Sequence, residues 1–200
     1  MAGRGSILMV GESAMSSWRG ATARILEVAG ALRDLGWEPT LLTSKRPYRL
    51  APPTPDAAFP GRVIRTPFSS PTVPRWADRK GVRALWRRTL AWTTTAARRE
   101  MGWAERTLAW WQRAFPEARP DAVWGMSWGN LVALALASSL SERLGRPWIL
   151  EIHDPCFYPG EPQDSARRAH FAASLATASA VVTTTTGLAD HLETEWPALG

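Results

Sequence analysis

The sequence predicts an α/β protein with a doubly wound, mostly parallel sheet, helices on both faces, and a long Trp/Arg-rich helical insertion. Two observations predict it. Short apolar runs alternate along the chain with amphipathic stretches of helical period, the pattern of parallel strands joined by helical crossovers. The chain has 200 residues, 45% of them hydrophobic, enough for one domain with a sizeable core.

The elements follow in order. Ile7–Val10 is a buried strand, and a small polar loop from Gly11 to Gly20 leads into a helix over Ala21–Leu35. Its stripe is Ile25, Val28, Ala29, Leu32 and Leu35, and Gly36 stops it. Pro39–Thr43 is a second strand, residues 45–61 a proline-rich loop, Arg62–Thr66 a third strand and Ser69–Pro74 a further loop. Residues 77–114 are helical in composition, read as two helices broken near Gly102, and Pro116–Pro120 ends them. Ala122–Met126 is a strand, Asn130–Leu144 a helix closed by Gly145, and Trp148–Ile152 a strand. After a loop with Pro159, Gly160 and Pro162 come a helix (Ser165–Ala178), a strand (Ala180–Thr185) and a last helix (Leu188–Trp196). No internal repeat is visible. Right-handed crossovers make such a chain Rossmann-like, with ligands beyond the carboxyl ends of the strands.

Composition narrows the function. The net charge is +6, and nearly all of the positive charge is Arg, with Lys45 and Lys80 the only lysines. That balance suits an anionic partner. Cys156 is the single cysteine, so an intramolecular disulfide and a Cys-based zinc site are excluded, and a reducing, cytoplasmic compartment is expected. Ser6–Val10 is too short an apolar core for a signal peptide, and no apolar run approaches the roughly 20 residues of a membrane span. Neither a metal nor a cofactor is expected.

The first loop carries neither common nucleotide fingerprint. Gly11 and Gly20 are too far apart for Gly-x-Gly-x-x-Gly, Thr43-Ser44-Lys45 brings no acid for a ribose, and there is no Walker Gly-Lys-Ser/Thr. A nicotinamide-dependent oxidoreductase is therefore disfavoured. What remains is a helix N-terminus able to hold an anion, with Arg19 beside it; equally, Gly20 simply lets the chain turn into the helix. In Asp121–Asn130, Trp128 sits on a strand-to-helix loop where a sugar could stack on it, and Ser127 or Asn130 can cap the helix. Trp124 reads more readily as packing. In Trp148–Pro155, strand alternation sends Glu151 and His153 to one face, beside Asp154. A His–carboxylate pair at the mouth of a sheet suits proton transfer or hydroxyl binding, against the ordinary reading of a structural histidine. Thr186 is the expected cap of the last helix.

Trp86 and Trp92 share a helical stripe with Val82, Leu85, Trp103, Trp110 and Trp111, while Arg79, Lys80, Arg83, Arg87 and Arg88 crowd another face. Such a helix suits an anionic membrane surface; the alternative is a Trp stripe packed on the sheet. No nucleic-acid-binding motif accompanies the charge, and nucleic acid is not expected as a partner.

Four segments in this order resemble the N-terminal, acceptor-side domain of GT-B glycosyltransferases of family 4: Ile7–Ser44, Pro120–Ser138, Arg146–Gly160 and Ala176–Leu192. The resemblance implies two Rossmann-like domains facing a cleft, the other one holding a nucleotide-sugar donor. It places Gly11, Arg19 and Gly20 near the donor diphosphate and His153 and Asp154 at the reaction site. Glu12, Ser127, Trp128, Asn130 and Glu151 fall on the side of a glycan or lipid-linked acceptor. It places Trp86, Arg87, Arg88 and Trp92 in a variable region that often meets acceptor or membrane, on the inner face of the cell membrane. One departure stands out. Members often carry His-x-His where this chain has Trp124-Gly125-Met126, so transfer chemistry cannot rest on that histidine. Residues 1–200 are read as a single N-terminal domain, with the helical insertion at about 77–114 and the nucleotide-sugar domain lying outside it. Alone, the chain is expected to be inactive. The runner-up is a non-catalytic module that docks on a membrane or a protein.

Overall fold

The computed structural model describes residues 5–12, 19–45, 55–69, 96–157 and 165–196, with backbone alone at 19 and 96–99. Six strands form one sheet in the order β3-β2-β1-β4-β5-β6. They are β1 (Gly5–Val10), β2 (Trp37–Thr43), β3 (Arg62–Arg65), β4 (Ala122–Ser127), β5 (Trp148–Ile152) and β6 (Ala180–Thr183). All five pairings are parallel, with Val10 opposite Leu42 on one side and Gly125 on the other. The helices are α1 (Arg19–Asp34), α2 (Ala96–Ala114), α3 (Val132–Leu144), α4 (Ser165–Thr177) and α5 (Thr186–Glu195).

The strand order reverses between β1 and β4. Right-handed crossovers that run outward in opposite directions put their helices on opposite faces. Accordingly α1 covers one face, where Ile25, Val28 and Ala29 meet Met9, Leu41, Met126 and Phe59. Among the described residues, α2 to α5 supply the other face, where Trp103, Trp111, Leu134, Phe171 and Leu188 bury Leu8, Val10, Val123 and Leu150. One glycine is needed for this layering. A Cβ on Gly125 would stand 2.7 Å from the Ala137 methyl, so its absence lets α3 lie close on β4.

At the opposite end of the strands from the expected site, Asp121 Oδ2 accepts the Ser6 N–H at 2.8 Å. That hydrogen bond lowers the Asp121 carboxyl below its usual range and ties the start of β4 to β1.

Four expectations need correction. The helix through Gly102 is continuous from Ala96 to Ala114. A mid-helix glycine costs only about 1 kcal/mol relative to alanine, and the burial of Trp103 and Trp111 on either side outweighs that. Leu35 is 56% exposed, because α1 has already ended at Asp34 and the residue falls in the turn. The helix expected from Asn130 begins at Val132; Asn130 precedes it and its Oδ1 accepts the Val132 N–H at 3.0 Å, while the Ser127 hydroxyl donates to the Asn130 carbonyl instead of capping. In the last unit β6 stops at Thr183, and the cap of α5 is Thr185, whose Oγ1 accepts the Leu188 N–H at 3.2 Å; Thr186 is already helical. Trp86, Arg87, Arg88 and Trp92 lie outside the described residues. Among the described residues no helix is long and apolar enough to cross a membrane.

Candidate functional site

The carboxyl ends of β1, β4 and β5 meet where the strand order turns, and the residues that follow them gather there. His153 comes directly after β5. Its N–H donates to the Ser127 carbonyl at 3.0 Å and its carbonyl accepts the Thr184 hydroxyl at 3.1 Å, so its backbone is pinned to both neighbouring loops. The imidazole stacks on the Trp128 indole, with centroids 5.0 Å apart and planes 21° from parallel. The loop carrying Trp128 turns through Gly129 at φ +76°, a left-handed conformation that favours glycine, and it lies against Asp154 and Pro155.

Glu151 is the hub beneath this pair. It is completely buried, on the α1 face of β5. Its Oε2 accepts the Trp124 indole N–H at 2.7 Å, and its Oε1 accepts the Arg24 Nε–H at 2.9 Å. His153 Nε2 lies 3.0 Å from the same Oε1, at ion-pair distance, with its N–H not well aligned on that oxygen. Burial alone would raise the Glu151 carboxyl; the contacts with His153 and Arg24 outweigh burial and leave it below the ordinary carboxylate range. Glu151 is therefore an anion held inside the protein by two basic side chains and an indole.

The remaining expected residues separate into two groups. Ser127 is buried, its hydroxyl 3.5 Å from Cys156 Sγ as well as bonded to Asn130, so it fastens the loop from inside. Glu12 is buried too, and its carbonyl accepts the Ser44 N–H at 3.1 Å. Gly11 is buried at the end of β1, with its N–H on the Leu42 carbonyl. In contrast, Asp154 is exposed, Trp128, Asn130 and His153 are half-buried, and Gly20 is exposed in the first turn of α1 with open space where a Cβ would stand. The Arg19 backbone begins α1, and its side chain is outside the described atoms. Among the described residues no group of three or more His, Cys, Asp or Glu is placed to hold a metal ion.

Two side chains of the hub fall outside the residues that the sequence marks as functional: Arg24, and Trp124, which reads first as packing. Arg24 did leave a signal. It stands four and eight residues before Val28 and Leu32, on the apolar stripe of α1, and Glu151 interrupts an apolar strand. A carboxylate inside an apolar strand calls for a basic partner, and Arg24 reaches it from the edge of the stripe with 42% of its side chain exposed.

The sequence matches the family model described as the glycosyl transferase 4-like domain over residues 19–198. No curated protein matches the chain. Among solved structures it is similar to one titled Spinosyn Rhamnosyltransferase SpnG, at a TM-score of 0.46 and 18% identity, over 83% of this chain and 41% of that one. The chain thus spans less than half the length of that relative.

Proposed function

The chain belongs to the glycosyl transferase 4-like domain family, and from that premise we propose that it is the acceptor-binding half of an enzyme that moves a sugar from a nucleotide-sugar donor to a glycan or lipid-linked acceptor. The observation that carries this reading is the stacked Trp128–His153 pair at the strand ends, backed by a buried carboxylate. An aromatic face suits a sugar ring, and an imidazole suits a hydroxyl that must give up its proton.

In this reading His153 and Asp154 meet the reacting hydroxyl and Trp128 the acceptor ring. Glu12, Ser127, Asn130 and Glu151 form the wall behind them. Gly11, at the end of β1, with Arg19 and Gly20, at the start of α1, form the lip facing the donor diphosphate. The nucleotide is held by a second domain, so the 200-residue chain is inactive alone. The basic, tryptophan-rich stretch containing Trp86, Arg87, Arg88 and Trp92 rests on an anionic membrane surface, which brings a lipid-linked acceptor within reach.

The test is release of nucleoside diphosphate from UDP-, GDP- and dTDP-sugars with lipid and glycan acceptors. The chain alone is expected to release none. The chain together with a donor-binding domain is expected to turn over one of them, and His153→Ala to slow that turnover by about 10²- to 10⁴-fold. Vesicle binding with no turnover in any combination would instead support a non-catalytic docking module.

A further inference from the structure

We propose that Glu151 is a positioning residue: its buried carboxylate holds His153 with Nε2–H turned inward, so that Nδ1 is the nitrogen presented to the acceptor hydroxyl. This rests on the reading of His153 as the acceptor-side group.

The geometry carries the proposal. A carboxylate oxygen 3.0 Å from Nε2, even off the line of its N–H, favours a proton on that nitrogen, since the anion stabilises an N–H there and repels a lone pair. Of the two neutral tautomers, Nε2–H is then selected, and Nδ1 keeps its lone pair. The His153 side chain is only 10% exposed, with Trp128 against one of its faces, so the ring has little room to turn over and exchange its nitrogens. Arg24 shares Oε1 and keeps Glu151 ionised inside the protein; Trp124 occupies Oε2 and fixes the carboxylate plane.

Stability alone is a poor reason for such an arrangement. Burying the Glu151 carboxylate carries a desolvation cost, apolar residues of the same volume carry none, and Ile149, Leu150 and Ile152 show that this strand accepts them. Arg24 also gives the network a reach. It stands in α1 one turn after Gly20, so a single carboxylate links the proposed donor-side lip to the acceptor-side histidine.

The experiment is a long-range ¹H–¹⁵N correlation spectrum of the imidazoles in the ¹⁵N-labelled chain. Only three histidines are present, His153, His170 and His191, and His153→Gln assigns the first. In its neutral form His153 is expected to show a protonated Nε2 and an unprotonated Nδ1. In Glu151→Leu no acceptor faces Nε2, so the Nδ1–H form is expected to appear with His170 and His191 unmoved.

A wild-type His153 protonated on Nδ1 would overturn the proposal even if the variant failed to fold. So would a folded Glu151→Leu whose His153 signals match the wild type. The two readings separate cleanly. Unchanged sugar transfer in His153→Ala would sink the site assignment and leave the tautomer result standing, whereas lost transfer with an unselected tautomer would sink only the role of Glu151.

Discussion

Cys156 lies under the loop between β4 and α3, and burial pushes its thiol up to about 11 from an ordinary 9.0. Two units lower the thiolate fraction at pH 8 by about 100-fold, so an aromatic disulfide reagent is expected to label the folded chain at least about 100-fold more slowly than the urea-unfolded one. Fast native labelling would mean that the loop opens. His170, in α4, is displaced the other way: burial lowers it from an ordinary 6.5. The folded state then takes up its proton later than the unfolded chain. Stability is full above pH 6.5 and falls as the pH drops toward the folded value. Glu151 is also depressed, so its contribution is lost only below its ordinary 4.5. Urea midpoints at pH 7.5 and 5.5 should therefore fall in the wild type, and fall less in His170→Gln. An equal fall in both would remove His170 as the cause. At this scale the site was partly legible. Strand alternation brought Glu151 and His153 to one face, because it depends on neighbouring positions only. Arg24 and Trp124 reach Glu151 from another helix and another strand, and that convergence depends on the sheet order.

Elements were legible where periodicity decides them and less so at their ends. The six strands and the helices between them follow from apolar runs and stripes, whereas caps depend on which of several adjacent hydroxyls the backbone meets. Four consecutive threonines, Thr183 to Thr186, offered the cap of α5 equally by composition; geometry gave it to Thr185. Thr185→Ala is expected to cost about 1 kcal/mol and Thr186→Ala less, by urea denaturation; the reverse order would contradict the capping assignment. Packing between elements sets a larger effect. Gly125→Ala places a methyl 2.7 Å from that of Ala137, so β4 and α3 must separate. The expected loss is about 1–3 kcal/mol, seen as a lower urea midpoint at unchanged slope. A neutral result would show that the helix can ride outward at no cost.

For the whole molecule, charge is spread unevenly along the sequence. The net excess is +6, and Arg79, Lys80, Arg83, Arg87 and Arg88 fall within ten residues that hold no acid. The tryptophans of this region divide in a telling way. Trp103 and Trp111 are buried in the core, so the part of the stripe on α2 is packing. Trp86 and Trp92 belong to the stretch where the basic residues gather, and the proposed membrane contact rests on them alone. Each basic residue near an anionic surface adds about 1 kcal/mol. Arg87→Gln with Arg88→Gln should then weaken binding to phosphatidylserine vesicles by about thirty-fold, with neutral phosphatidylcholine vesicles bound poorly by either protein. Because screening shortens to about 3 Å in 1 M salt, raising the ionic strength should release the wild-type chain as well. Co-sedimentation reads all three. Binding that ignores both the arginines and the salt would trace attraction to apolar surface, and no binding at all would leave this stretch to the protein interior or to the acceptor.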